Sequence, residues 1–245
     1  MKSDAVLHIL GTTDSTNNYA MGQVYAGLAM HGMAWFAREQ TSGKGQRGNT
    51  WISEPGKNII MSVVIEPPAL FAHQPFLFNA LIANICRKFL EAYVPREIKV
   101  KWPNDLYIRD RKAGGILIEN KYKGTKWKWS VVGIGINVNQ DGFPGEIRNP
   151  VSVLQETGKE QDVVALARQL HLELLEGISS VKAESLPGIL EDYNLHLFRL
   201  NESVKLRKKN IVFETKVEGV DVNGQLITSD SMTRHFSFGE VEWVL

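Results

Sequence analysis

The sequence contains a single cysteine, Cys86, among 245 residues, so no disulfide can form within the chain and a reducing compartment is favoured. No apolar run approaches the length of a membrane span. The first residues also lack the basic start, apolar run and cleavage site of a secretory signal. These absences predict a cytoplasmic protein that is neither exported nor anchored in a membrane.

The net charge of the chain is small, and its sequence shows no metal-binding pattern. The formal net charge is only +1, so a general electrostatic attraction to nucleic acid or to anionic lipid is not expected. The six histidines are scattered along the chain without the spacing of metal ligands, and we predict no structural metal. A length of 245 residues suits one sizeable core with a small appendage.

Residues 99–115 contain the first pattern that points to chemistry. A strand in which apolar residues alternate with lysines runs into a Pro-Asn-Asp turn at 103–105. A second strand leads to Lys112, and two glycines follow at 114 and 115. Glycines leave room for a ligand to approach the backbone, so Lys112 is a candidate cation for an anionic group. Taken alone, the pattern also fits a surface hairpin with a solvated lysine.

Residues 38–48 form a second pattern, a glycine-punctuated loop with cations at Lys44 and Arg47. Backbone amides and cations in such a loop can cradle phosphate oxygens. Its glycines also satisfy G-x-G-x-x-G, but a dinucleotide-binding loop must open a helix, whereas the following residues are turn-rich and lead into a strand. A Walker A loop is excluded because Arg38 and Gly45 stand where glycine and Ser or Thr are required.

Together with three further motifs, these two segments resemble the biotin protein ligases, which adenylate biotin and transfer it to a lysine of a carrier domain. The resemblance spans most of the chain, and five motifs in the family's order are more specific than any one alone. The motifs are Asp14-Ser15-Thr16-Asn17, Glu39-Gln40-Thr41 with the loop Gly43-Lys44-Gly45-Gln46-Arg47-Gly48, Lys101-Trp102-Pro103-Asn104-Asp105, Arg111-Lys112-Ala113-Gly114-Gly115-Ile116-Leu117, and Gly133-Ile134-Gly135-Ile136-Asn137-Val138.

The resemblance implies a role for each matching position. Hydroxyl and amide side chains suit the cyclic urea of biotin, which offers both N–H donors and a carbonyl acceptor. Catalytic roles fall on Lys112 and Arg47. Biotin contacts fall on Ser15, Thr16, Asn17, Gln40, Lys44, Gly45, Gln46, Lys112 and Gly115, and ATP contacts on Lys44, Arg47, Trp51, Lys101, Asn104 and Asn137. Ser15 is also expected to cap a helix, and Asn104 and Asn137 also fit structural turn positions.

The glycine loop departs from the usual pattern of the family, which carries arginines where this chain has Lys44 and Gln46. Lysine lacks the fork of arginine and glutamine carries no charge, so a weaker hold on phosphate is expected. Arg47 is retained. We expect the loop to be mobile without ligand and to order over the adenylate.

The chemistry implied by the resemblance is two acyl transfers. The carboxylate of biotin attacks the α-phosphate of ATP and releases pyrophosphate, and a carrier lysine then attacks biotinyl-AMP and releases AMP. Because both reactants of the first step are anionic, cations are needed, and Mg²⁺ accompanies ATP, with Asp105 as one candidate ligand. The implied partner is a biotin carboxyl carrier protein or domain, and family precedent suggests a homodimer.

The periodicity predicts an α+β fold with a mixed, largely antiparallel sheet and flanking helices over residues 1–198. Residues 199–245 predict a small C-terminal β-barrel domain of short strands broken by Asn223-Gly224 and Gly239. Helices are predicted near 16–27, 76–93, from a cap at Asp162 to about 181, and near 186–197; strands are predicted near 33–37, 58–65, 98–102, 116–121, 127–138, 204–207, 212–220, 225–228, 234–238 and 241–245.

Three alternatives stay open from the sequence. A lipoate ligase would share the fold and the adenylate chemistry, although the Ser15, Thr16 and Gln40 set favours a ureido ligand over a dithiolane. A non-catalytic ligand sensor would use the same pocket, and a β-barrel nucleic-acid binder would use the basic run 205–209. The early position of the first motif predicts that no N-terminal DNA-binding domain is present.

Overall fold

The structure is a computed structural model that describes residues 6–145 and 149–244. Its helices are α1 (Thr16–Tyr25), α2 (Pro75–Glu91), α3 (Val153–Thr157), α4 (Val163–Ser179) and α5 (Leu186–Leu195). Its strands are β1 (Leu7–Thr13), β2 (Ala34–Gln40), β3 (Ile59–Ile65), β4 (Ile98–Lys101), β5 (Asp105–Ile108), β6 (Arg111–Lys123), β7 (Lys126–Ile136), β8 (Ser203–Lys208), β9 (Ile211–Val220), β10 (Leu226–Ser229), β11 (Thr233–Phe236) and β12 (Glu242–Val244).

Seven strands form a mixed sheet in the order β1-β2-β3-β7-β6-β5-β4. Only β1 and β2 pair in parallel, and every other neighbouring pair of this sheet is antiparallel. The predicted α+β class with a largely antiparallel sheet is confirmed. The sequence analysis missed β1, whose residues are mostly half-buried or exposed because the strand lies at the edge of the sheet.

Helices cover both faces of this sheet. On one face, α2 buries Leu77, Leu81 and Phe89 in the main core, where α4 also packs, because apolar residues recur at helical spacing in both. On the other face, α1 packs Ala20 against Trp35 of β2 and its neighbours on β3 and β7. Alternate residues of the central strands therefore face different layers, and β3, buried along its whole length, is almost entirely apolar.

The last five strands form a second, antiparallel sheet in the order β11-β10-β9-β8-β12. The predicted small C-terminal β unit is confirmed, but among the described residues no pairing joins β11 to β12, so the sheet is open rather than a closed barrel. The last position of the predicted final strand, residue 245, lies outside the described residues. Apolar residues of this sheet belong to the same core cluster as α2 and α5, and the domain boundary at 198/199 stays a prediction.

Side-chain hydrogen bonds from Asn194 and Trp102 help to join the C-terminal sheet to the rest of the protein. The Asn194 amide on α5 both donates to the Val220 carbonyl (2.9 Å) and accepts from its N–H (2.8 Å). The indole Nε1 of Trp102 donates to the Gly224 carbonyl at 2.9 Å. Within the described ranges, no helix combines the length and the apolar character that crossing a membrane requires.

The start of α4 provides a test of the helix boundary predicted from sequence. Asp162 is the N-cap, and its Oδ1 accepts from the backbone N–H groups of Val164 and Ala165, both at 3.0 Å. Asp162→Ala should lower the free energy of unfolding by about 1 kcal/mol, because two helix-end donors lose their acceptor. Asp162→Asn, which keeps an acceptor, should lose far less in denaturant titration. Equal losses in the two variants would contradict the capping role.

Candidate functional site

A cavity of about 710 Å³ lies where the two glycine-containing segments meet the sheet. Its walls come from the start of α1, the end of β2, the glycine loop, the 103–105 turn, β6, β7 and the C-terminal sheet. It brings together Ser15, Thr16, Asn17, Gln40, Lys44, Gly45, Gln46, Arg47, Trp51, Lys101, Asn104, Lys112 and Gly115, which are all the predicted site residues except Asn137. Lys112 and the glycine loop therefore face one cavity.

A hydrogen-bonded polar network forms the wall between α1 and β2. The Gln40 Oε1 accepts from the Thr16 N–H at 2.7 Å and from the Thr16 hydroxyl at 3.1 Å. The Ser62 hydroxyl lies 2.8 Å from Thr16 Oγ1 and 2.6 Å from Asn17 Oδ1. The Asn17 amide in turn donates to Glu119 at 2.8 Å. These contacts fix the direction of each polar side chain on the wall.

Ser15 and Asn104 each have a structural position as well as a place on the cavity wall. Ser15 is the N-cap residue of α1, as predicted, but its side chain makes no capping hydrogen bond, and it is buried. The Asn104 side-chain amide donates to the Ile116 carbonyl, and the Ile116 N–H returns a bond to the Asn104 carbonyl at 3.1 Å. Asn104 thus braces the turn against β6.

Two glycines of β7 create space for their neighbours. A Cβ at Gly133 would lie 2.1 Å from Asn17 Oδ1, and one at Gly135 would lie 2.5 to 2.9 Å from three atoms of the Trp51 indole. Trp51 therefore lies directly on the backbone of β7 and forms part of the cavity wall. Any side chain at these positions would displace Asn17 or Trp51.

Both the side chain and the backbone of Lys112 are held in place by contacts. Its Nζ lies 2.7 Å from Asp105 Oδ1, with both side chains about three-quarters buried. Its backbone N–H donates to the Asn149 carbonyl at 2.8 Å, and its carbonyl accepts from the Val151 N–H at 2.9 Å. The ammonium group is thus positioned at the cavity wall, and the facing Gly115 has no side chain to block access.

Asn137 does not line the cavity. It is buried, and its side-chain amide donates to the Val151 carbonyl at 3.0 Å and to the Lys112 carbonyl at 3.4 Å. Its contacts therefore brace the backbone of Lys112 from behind. A direct ATP contact by Asn137 stays a prediction.

The glycine loop folds back on itself next to β6. The Gly45 N–H donates to the Asn49 carbonyl at 2.7 Å, and the Trp51 N–H donates to the Gly43 carbonyl at 2.8 Å. Within the described chain, no carboxylate lies within 4.0 Å of Lys44 or Arg47, so neither cation is neutralised by the protein. Exposed, unneutralised cations in a glycine-rich loop are suited to an anionic ligand.

The sequence analysis missed several residues of the site. Ser62 and Glu119 complete the polar network, and the only local signal was a lone serine in the apolar strand β3. Phe238, Glu242 and Trp243 reach the cavity from the C-terminal sheet. No spacing in the sequence indicates these three, because the sheet is brought to the cavity by tertiary packing.

Neither Cys86 nor a group of metal-ligating side chains forms a second reactive centre in the part of the chain that the structure describes. Cys86 is fully buried in α2, and burial raises the pKa of its thiol, which keeps it protonated and unreactive. Across residues 6–145 and 149–244, no group of three or more His, Cys, Asp or Glu side chains is arranged to hold a metal ion. The groups that line the cavity are cations, amides, hydroxyls and the carboxylates of Asp105 and Glu242.

Both the sequence and the fold are similar to those of known proteins. Residues 10–137 match the model of the biotin/lipoate A/B protein ligase family. The chain is 31% identical over 226 residues to a biotin--[acetyl-CoA-carboxylase] ligase of Paracoccus denitrificans, covering 89% of this chain and 92% of that protein. It is 30% identical over 242 residues to the bifunctional ligase/repressor BirA of Escherichia coli, covering 95% of this chain and 72% of BirA.

A solved structure, a biotin protein ligase from Aquifex aeolicus in complex with biotin and ATP, superposes with a TM-score of 0.82 at 25% identity. The match covers 97% of this chain and 98% of that one. The family model, the two relatives and the fold thus agree, and the chain belongs to the biotin/lipoate A/B protein ligase family.

Proposed function

We propose that this protein is an ATP-dependent biotin protein ligase, which forms biotinyl-5'-AMP and transfers biotin to a lysine of a biotin carboxyl carrier protein or domain. The observation that carries the proposal is that Lys112, the glycine loop and the α1–β2 polar network all face one cavity. Its volume of about 710 Å³ lies in the range of small-molecule sites. Biotin and ATP are the substrates.

The polar network favours biotin over lipoate. Thr16, Asn17 and Gln40 offer hydroxyl and amide groups at fixed positions, and a cyclic urea can both donate to and accept from such groups. A dithiolane ring offers neither strong donors nor strong acceptors, so it would gain no hydrogen bonds from this wall, each of which contributes about 0.5–1.5 kcal/mol. The substrate preference should therefore be large.

In the first step, the biotin carboxylate attacks the α-phosphorus of ATP, and pyrophosphate leaves. Both reactants are anions, so their repulsion is a large part of the barrier. Lys112, positioned by Asp105, lies where it would offset that repulsion and the charge growing on the phosphoryl oxygens. Arg47 and Lys44 would bind the phosphates from the glycine loop.

Mg²⁺ bound with ATP would supply further neutralisation of the phosphate charge. Asp105 and Glu242 are the carboxylates on the cavity wall, and Asp105 is the better buried of the two, so it fits the role of a protein ligand to that ion. Magnesium demands few protein ligands when phosphates supply the rest.

In the second step, the neutral amine of a carrier lysine attacks the acyl carbon of biotinyl-AMP, and AMP leaves as the amide forms. This step requires an oriented anhydride more than an enzyme nucleophile, and the buried Cys86 is consistent with a non-covalent intermediate. Location in the cytoplasm and assembly as a homodimer stay predictions alongside this proposal.

The test of the proposed function is a labelling reaction followed by intact mass measurement. The protein, ATP and magnesium are incubated with a biotin carboxyl carrier domain and either biotin or lipoate. We expect the carrier to gain the mass of one biotinyl group on one lysine, with no lipoyl adduct. Preferential lipoylation would support the lipoate ligase, and absence of AMP formation with either acid would support the ligand sensor.

Removal of the Lys112 ammonium tests the catalytic cation. Lys112→Ala should slow biotin-dependent exchange of pyrophosphate into ATP by about a hundredfold or more, because one preorganised charge is lost from the transition state. Lys128→Ala is the matched control, since this partly exposed lysine of β7 pairs with Glu66 and does not line the cavity. A Lys112→Ala enzyme that exchanges as fast as Lys128→Ala would remove Lys112 from its role.

The contact between Gly135 and Trp51 gives a second test. Gly135→Ala places a methyl group 2.5 to 2.9 Å from the Trp51 indole, so the ring must leave its position on the cavity wall. We expect adenylation to fall by about tenfold to a hundredfold, the scale of a displacement near 1 Å in a binding site. Gly11→Ala, with nothing within 4 Å of the added carbon, is the control. Equal rates in the two variants would exclude a functional role for this contact.

A further inference from the structure

The Arg47 side chain of the glycine loop contacts the C-terminal sheet. The Arg47 guanidinium carbon lies 5.9 Å from the centroid of the Phe238 ring. A Cβ added at Gly239 would lie 2.8 to 3.1 Å from three atoms of the same guanidinium. The guanidinium therefore packs directly on the backbone of the turn between β11 and β12, with an aromatic ring at its side.

The backbone at both ends of this contact has an unusual conformation. Arg47 has φ 54° and ψ 37°, a left-handed conformation that costs an ordinary residue about 1–2 kcal/mol. Gly239 has φ +86°, which glycine adopts freely. A strained backbone that persists at an arginine indicates that its surroundings hold it there, and such strain concentrates at functional sites.

The turn that receives Arg47 is itself fixed to the cavity. The ring of Phe238 packs edge-on against Trp102 with centroids 6.0 Å apart. Trp102 is buried, its Nε1 donates to the Gly224 carbonyl, and it directly precedes the 103–105 turn. Phe238 also lines the cavity. Contacts through the rings of Phe238 and Trp102 thus connect Arg47 to the segment that carries Asp105.

We infer that Phe238 and Gly239 form a seat for Arg47, and that they are positioning residues which hold its guanidinium toward the phosphates of ATP before ATP binds. This inference rests on the proposed function. Aromatic contact and van der Waals contact with a glycine backbone restrain the guanidinium without neutralising it, whereas a carboxylate partner would compete with the phosphates. The seat therefore orders the long side chain in advance and leaves its charge available, in contrast to the ligand-free mobility that the sequence predicts for the rest of the loop.

The test compares alanine substitutions at two glycines that both have positive φ. Gly239→Ala introduces the clash with Arg47, whereas Gly124→Ala lies at a positive-φ position in the β6–β7 hairpin with nothing within 4 Å. We expect Gly239→Ala to raise the KM for ATP about five- to tenfold, because Arg47 must then be ordered on binding. The affinity for biotin alone should not change, and Gly124→Ala should match the unmodified enzyme in both constants.

A double-mutant cycle separates positioning of Arg47 from a general effect of the turn. In an Arg47→Ala background, Gly239→Ala should change the KM for ATP by less than twofold, because the side chain that the seat serves is absent. Phe238→Trp, which keeps an aromatic face, should retain more ATP affinity than Phe238→Ala. Additive effects in the cycle, or a KM in Gly239→Ala equal to or below that of Gly124→Ala, would overturn the inference.

Cleavage by trypsin without ligands gives a readout that needs no activity. If the seat holds Arg47, the ligand-free protein should be cut after Arg47 several times faster in Gly239→Ala than in Gly124→Ala. Equal rates would refute the seat even in an active ligase. Failure of the carrier labelling reaction with unchanged protection of Arg47 would instead refute the proposed function, so the two failures are distinguishable.

Discussion

The close approach of side chains to the backbone of two paired strands makes the site possible. Gly115 on β6 pairs with Gly135 on β7, and Gly133 pairs with Leu117 two residues further along. Without side chains at these positions, the Trp51 indole rests on β7 and Asn17 reaches across the same strand. A sheet with ordinary side chains there would fill the cavity with its own atoms. The glycines thus convert the middle of a packed sheet into the floor of a binding site.

This floor also explains how polar groups are tolerated inside the protein. Ser62 lies in a strand that is otherwise apolar and fully buried, where an unpaired hydroxyl would cost free energy. Its contacts with Thr16 and Asn17 satisfy it, and Gln40 and Glu119 extend the network at either side. A network of this kind is rigid because each member is oriented by its neighbour. It can recognise a ligand with matching donors and acceptors without reorganising.

Those elements whose cause is local were predictable from the sequence. The helix cap at Asp162, the alternation that ends at Trp102 and the strands at either side of the 124 turn all follow from short-range chemistry, and the structure confirms them.

The placement of Lys112 and the glycine loop at one cavity was predictable only through the family resemblance, because sixty or more residues separate them. The edge strand β1 and the contribution of Phe238 were not predictable. Their positions depend on tertiary packing, for which single-sequence periodicity carries no signal.

The cations of the cavity differ in how the protein restrains them, and this difference matches the demands of the proposed reaction. Lys112 is paired with Asp105, so its attraction for an incoming anion is weakened in the ground state. As charge accumulates on the phosphoryl oxygens, the ammonium can shift its interaction toward them, and an interaction that strengthens in the transition state raises kcat.

Arg47 has no carboxylate partner among the described residues and is restrained by uncharged contacts alone. In the proposed reaction, its full charge would be available to ATP from the first encounter and would contribute to binding. One cation is thus suited to lowering the barrier and the other to holding the nucleotide, and the fold keeps them on different segments so that each can be restrained in its own way.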